Sequence, residues 1–280
     1  MLELSRELLV DPAWLAARLD EPGLVVADCR YDSDESVARA QYLAGHVPGA
    51  VHAYWPRDMS TGSGPVPNLL PTAEQAAEKL GRLGIGDRST VVGYDAEGGH
   101  QAARLWLVMA YYGHAGFRLL DGGIQRWAAA GHPLTREEVR SNPAQFTPQP
   151  ALEGLRIRAD ELARRLNDPG LALLDVRREG EFRGTEARAA RGGRIPGAQF
   201  FPWQGNVRSD WTFLSPDEIR ARHEKAGITL DQEIVTYCQA GVRAAHAALA
   251  LRLAGYSNVR VYDGSWAEWG NNPNLPIEQG

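Results

Sequence analysis

The sequence predicts an α/β protein made of two tandem domains, each a mainly parallel sheet with helices on both faces, and three observations predict it. The chain has 280 residues, enough for two domains of about 100–150 residues that each bury an interior. Four landmarks recur in the same order, 142 to 148 residues apart: LVVADCR (24–30) with LALLDVR (171–177), AGHVPGA (44–50) with GGRIPGA (192–198), VVGYD (91–95) with IVTYC (234–238), and LLDGGIQRWAAAGHPL (119–134) with VYDGSWAEWGNNPNLPI (261–277). Near-constant spacing over the whole length marks a duplication. Within each copy, short apolar runs alternate with helical stretches, which is the pattern of parallel strands joined by crossover helices.

Taken in order, each copy begins with a strand that ends in Asp28 or Asp175. These acids are expected to cap loops or to pair with Arg30 and Arg177. A Pro-Gly turn follows at 48–49 and 196–197, read as structure only. Helices are predicted in LPTAEQAAEKLGRLG (70–84) and LSPDEIRARHEKAG (214–227), because Thr72 and Ser215 stand as caps with Gln or Glu nearby and Gly84 and Gly227 close the segments. The next strand carries Asp95 or Cys238 at its end and leads into a helix at 100–112 or 242–254. Trp127 and Trp269 match one another and are expected in the core. The domains are therefore drawn at 1–137 and 156–280, with the three-proline stretch EVRSNPAQFTPQPALEGL (138–155) as linker.

Composition narrows the function. The net charge is −5, with 13 basic and 18 acidic side chains in residues 1–150 and 17 of each in 151–280, so neither half carries the basic surplus of a nucleic-acid footprint. The amino-terminal 20 residues read as a short amphipathic segment without a signal core, and no run approaches the length of a membrane span. A cytoplasmic monomer is the expectation. Two cysteines exclude a disulfide framework, and the seven histidines show no ligand spacing, so neither a metal nor another cofactor is expected. Cys29 falls where the other copy has Val176, and it reads as a small buried hydrophobe.

Cys238 is different. It ends an apolar strand just before Gln239, Ala240, Gly241, Val242 and Arg243, a tight turn into a helix, at the edge of a parallel sheet where active sites lie. Backbone N–H groups of such a turn point inward, and the helix amino terminus adds roughly half a positive charge. The expectation is an exposed, ionised thiol in an anion cradle that would equally hold a persulfide, with Arg243 facing the anion. Its place in the first copy is held by Asp95, so one copy keeps the sulfur nucleophile and the other has none. Three readings of this loop are open: a sulfurtransferase, a phosphatase or arsenate reductase using a C-x5-R loop, and a non-enzymatic binding module. Arg243 follows Cys238 after only four residues, which makes a smaller cradle, sized for one sulfur rather than the oxygens of a phosphate.

With the Asp-x-Arg strand ends, EFRG (181–184), GGRIPGA, the loop from Cys238 to Arg243 and the Asp-Gly pair at 263–264, the chain resembles the tandem-domain rhodaneses, the thiosulfate and 3-mercaptopyruvate sulfurtransferases, over nearly its whole length. The resemblance implies an inactive first domain, a catalytic second domain and a ping-pong exchange through a Cys238 persulfide, with cyanide, a thiol or a thioredoxin-like protein as acceptor. CQAG carries neither the paired cations nor the serine of the best-known loops, and it is more similar to bacterial thiosulfate enzymes. Arg183 of EFRG is the candidate clamp for the donor's anionic end, with Arg188 and Arg191 in the same excursion as alternatives. Trp203 in FFPW is placed like a tryptophan that lines the site in bacterial relatives.

Overall fold

A computed structural model describes residues 8–280; the first seven residues of the expected amphipathic segment lie outside the described residues. Two compact units emerge, one formed by 8–61, 70–152 and 208–213, the other by 62–69, 153–207 and 214–280. In the first, the chain runs β1 (Leu9–Val10), α1 (Pro12–Ala16), β2 (Leu24–Asp28), α2 (Glu35–Ala44), β3 (Val51–His52), α3 (Trp55–Asp58), α4 (Ala73–Arg82), β4 (Thr90–Tyr94), α5 (His100–Tyr111), β5 (Phe117–Leu120) and α6 (Gly123–Ala129). The second repeats the theme as β6 (Arg156–Ile157), α7 (Ala159–Arg164), β7 (Leu171–Asp175), α8 (Glu179–Arg183), β8 (Gln199–Phe200), α9 (Pro216–Glu224), β9 (Glu233–Tyr237), α10 (Val242–Leu253), β10 (Val259–Tyr262) and α11 (Ser265–Trp269).

The two sheets have the same order, β1-β5-β4-β2-β3 and β6-β10-β9-β7-β8, and every ladder is parallel. From β2 the chain steps one way to β3, and from β4 it steps the other way to β5. With right-handed crossovers this reversal sends the connecting helices to opposite faces and opens a crevice at the carboxyl ends of β2 and β4, and likewise of β7 and β9. The helix signals read from sequence act as expected: Thr72 and Ser215 each take part in a capping box, with Gln75 and Glu218.

Duplication reaches the hydrogen bonds. The Arg30 guanidinium forks onto the buried Asp28 carboxylate and also donates to the Gly45 carbonyl, while Arg177 does the same with Asp175 and Gly193. Tyr94 and Tyr237 each donate their hydroxyl to that aspartate and accept the N–H of Val47 or Ile195. This ties the Asp-x-Arg strand end to the Pro-Gly segment in both copies. Trp127 and Trp269 are fully buried at the centres of their cores.

The stretch expected as a linker is held to the first unit as far as residue 152. Asp87 N–H donates to Gln145, Ala144 N–H to Gly81, Gln149 N–H to Tyr112 and Leu152 N–H to Tyr111. Its prolines break helix and strand without freeing the chain, because the residues between them still pair their backbone groups. Among the described residues no helix is long and apolar enough to cross a membrane.

Candidate active site

Cys238 follows the last residue of β9, a strand paired on one side with β7 and on the other with β10. It therefore sits at the reversal of strand order in its sheet, where the fold opens its crevice. The turn beyond it closes at Gly241, whose φ of 77° is left-handed, and α10 starts at Val242. Glycine suits that position because a Cβ would clash with its own backbone there.

The expected exposure of Cys238 is overturned: its relative exposure is 1 %. The residue is enclosed by the turn it opens, with Gln239, Ala240 and Arg243 half-buried around it and Gly241 and Val242 buried. Its backbone is fixed from α11. The Cys238 N–H donates to Ser265 Oγ (3.1 Å), Trp266 N–H donates to the Cys238 carbonyl (3.0 Å), and Ala267 N–H donates to that of Gln239 (2.9 Å).

Arg243 was expected to face a bound anion, and the structure gives it a protein partner instead. Its two Nη groups fork onto Glu181 at 2.7 and 2.9 Å, and the Glu181 side chain is essentially buried. Burial works against ionising Glu181, but the hydrogen bond and charge of Arg243 outweigh it and hold its carboxyl down to about 2. Burial likewise works against the Arg243 cation, which Glu181 and the neighbouring Cys238 sulfur stabilise, so that its pKa is raised. A C-x5-R phosphatase needs its arginine free to fork a tetrahedral oxyanion; here the fork is occupied.

The three candidate donor clamps separate. Arg191 is spent on structure, its guanidinium donating to the carbonyls of Gly270, Leu275, Trp269 and Asn272. Arg183 lies on α8 at 57 % exposure beside Glu179, a solvated pair. Arg188 is exposed, and its carbonyl accepts the side-chain amide of Gln239 at 3.0 Å, so the excursion that carries it is pinned to the cysteine loop. Trp203 does not stand free at a site. It is buried, edge-on to the His246 ring of α10 at 5.0 Å, as an aromatic at a strand exit packs when a helix covers it.

Sequence reasoning overlooked Glu181 and Ser265. Glu181 lies inside EFRG, four residues beyond Arg177 of the Asp-x-Arg strand end, and nothing local in the sequence marks it as the partner of Arg243, 62 residues on. Ser265 stands where the first copy has Gly123, a mismatch inside an aligned landmark. Cys29 behaves as expected: it is fully buried, and burial, with the charges of Asp95 and Asp28 adding, pushes its thiol well above its ordinary range.

Fold and site together define a class: a duplicated α/β scaffold with a cysteine in the strand-to-helix turn of one copy. The model of the Rhodanese-like domain matches twice, over residues 11–130 and 158–272, and the chain belongs to that family in its tandem form. Full-length relatives include the probable 3-mercaptopyruvate sulfurtransferase of Pseudomonas aeruginosa, 40 % identical over 99 % of this chain and 100 % of that one. The thiosulfate sulfurtransferase of Azotobacter vinelandii is 36 % identical over 98 % of each chain. The sulfur carrier protein TtuD of Thermus thermophilus is 36 % identical over 98 % of this chain and 97 % of its own. Among solved structures, the anaerobic ergothioneine biosynthesis enzyme of Chlorobium limicola superposes with a TM-score of 0.87 at 27 % identity, covering 100 % of this chain and 71 % of that one. A structure of EanB with a persulfide on one cysteine superposes equally well, with a TM-score of 0.87 at 27 % identity over 98 % of this chain and 70 % of that one.

Proposed function

We propose that this protein is a sulfurtransferase that moves a sulfane sulfur from thiosulfate to a thiophilic acceptor through a persulfide on Cys238. The thiolate attacks the outer sulfur of thiosulfate, a new S–S bond forms, the old one breaks, and sulfite leaves with its electron pair. Cyanide, a small thiol or a thioredoxin-like protein then takes the outer sulfur and returns the Cys238 thiolate. Two half-reactions through one covalent intermediate give ping-pong kinetics.

One observation carries this reading: Cys238 occupies, in a duplicated scaffold, the place where the first copy gathers four backbone N–H groups onto the Asp95 carboxylate, at 2.8 to 3.2 Å. A turn that solvates a carboxylate in this way can solvate the outer sulfur of a persulfide. The enclosed position of Cys238 also suits a step that leaves one atom behind, and disfavours a bulky phosphoester. On this reading the peptide groups of Gln239, Ala240, Gly241, Val242 and Arg243, through the first turn of α10, surround the adduct. Arg188, whose backbone is tied to the cysteine loop through Gln239, is with Arg183 the exposed cation offered to the sulfonate, while Trp203 supports α10.

The Pseudomonas relative supports 3-mercaptopyruvate as a second donor. Against it, Ala240 offers no hydroxyl to relay a proton to the departing enolate. The test is mass spectrometry of reduced protein exposed to each donor. Thiosulfate is expected to add one sulfur to the Cys238 peptide, faster than 3-mercaptopyruvate, and Cys238→Ser is expected to gain nothing. An unmodified wild-type protein with both donors removes the proposal.

A further inference from the structure

We propose that Ser265 is a positioning residue for Cys238, held in a left-handed backbone so that its hydroxyl can fix the cysteine's N–H. The proposal rests on Cys238 being the nucleophile. Among the described residues only three that are not glycine have positive φ: Asn68, Trp211 and Ser265, the last at 52° and fully buried. A side chain with a Cβ is disfavoured there, and the first copy avoids the problem with Gly123, φ 58°. A Cβ at Gly123 would lie 2.2 Å from the Asp95 carbonyl oxygen. The second copy accommodates that carbon at the matching place.

What the serine adds is a directed acceptor. Its hydroxyl proton goes to the Tyr262 carbonyl at 2.8 Å, so the oxygen turns a lone pair to the Cys238 N–H at 3.1 Å. The next residue, Trp266, donates its N–H to the Cys238 carbonyl. Consecutive residues thus hold both sides of the cysteine backbone. The first copy keeps only the second half of this clamp, Ile124 N–H to the Asp95 carbonyl at 3.1 Å, and glycine offers no hydroxyl for the first. The difference has a reason. Asp95 is locked by its own carboxylate, which takes four N–H groups of its turn. A reacting cysteine cannot lock its turn with its side chain, so the restraint has moved to the backbone, and local strain at Ser265 accompanies it.

Ser265→Gly and Ser265→Ala in the full chain separate positioning from stability. For Ser265→Gly the expected result is a melting midpoint equal to or above wild type together with a single-turnover rate of persulfide formation from thiosulfate about tenfold lower, at unchanged KM. Ser265→Ala keeps the Cβ in the disfavoured region, so it should lose rate to the same extent and melt lower. A purely structural serine would move rate and midpoint together. A Ser265→Gly protein that forms persulfide at the wild-type rate overturns the proposal. If wild type itself forms no persulfide, the fault lies with the nucleophile reading. The rate of Cys238 alkylation by iodoacetamide then tests the clamp: a change in Ser265→Gly supports it, and identical rates overturn it.

Discussion

The turn after β4 and the turn after β9 are one device in two states. Both end a central parallel strand, both close on a left-handed glycine, Gly99 or Gly241, and both open a 12-residue helix. In the first, Asp95 Oδ1 takes the N–H groups of Glu97 and Gly99, and Oδ2 takes those of Gln101 and Ala102. The turn closes on its own anion. In the second, a cysteine replaces the carboxylate, and the turn is one residue shorter, three positions from Cys238 to Gly241 against four from Asp95 to Gly99. An anion cradle is thus shown for the first turn, and on the proposed function the residue at the strand end decides whether the second is filled from within or left for a transferred atom.

Asp95→Ala would break the comparison most severely. It leaves three buried N–H groups and one part-buried one without their acceptor, and the unfolding free energy should fall by about 4 kcal/mol, after discounting for water that enters the space. Chemical denaturation measures this. Adding sulfite or thiosulfate should restore part of the loss if the emptied turn takes up an external anion. A variant as stable as wild type would mean that the four bonds contribute nothing net.

The second contrast is the ion pair. Glu181–Arg243 braces only the copy that carries Cys238; the first has Gln101 in place of the arginine and an exposed cap, Asp34, in place of the acid. Glu181→Gln would leave the Arg243 cation nearly buried with a neutral partner, at a cost of about 3 kcal/mol. The pair also sets an acid limit. Glu181 titrates at about 2 when folded against an ordinary 4.5, so its stabilisation is complete above 4.5 and is lost as pH falls from there toward 2. The wild-type minus Glu181→Gln stability difference should therefore shrink over that window and stay constant from pH 5 to 7. A difference that does not change below pH 4.5 would show that the carboxyl is not held by Arg243.

Much of this was legible in the sequence, for reasons that differ by residue. The two sheets follow from four aligned landmarks, and the helix starts at Thr72 and Ser215 follow from cap chemistry, because both signals are local. Cys238 stood out because the duplication supplies its own control, Asp95. The partner of Arg243 and the burial of Cys238 were not legible: each depends on which atoms meet across the fold, and Glu181 and Arg243 are far apart in the chain. The same holds for Arg191, which looks like a free cation in sequence and is consumed by four carbonyls. Arg183 is the reverse case, an arginine whose solvated setting no spacing could reveal.

The mildest change tests whether one copy can lend the other a residue. Cys29 and Val176 hold matching places after β2 and β7, each with its N–H donated to a tyrosine carbonyl, Tyr94 at 2.8 Å and Tyr237 at 3.1 Å, and each is buried. The sulfur of Cys29 makes one weak contact, to the Ala27 carbonyl at 3.6 Å. Cys29→Val removes little and adds one methyl group to a place whose twin already holds it, so stability should change by less than about 1 kcal/mol. Sulfur transfer should be unchanged. The variant also leaves Cys238 as the sole thiol, so the pH dependence of its alkylation can be followed without a second signal. A loss of transfer in Cys29→Val would give the buried thiol a part in the chemistry, and the two strand ends would no longer be equivalent packing positions.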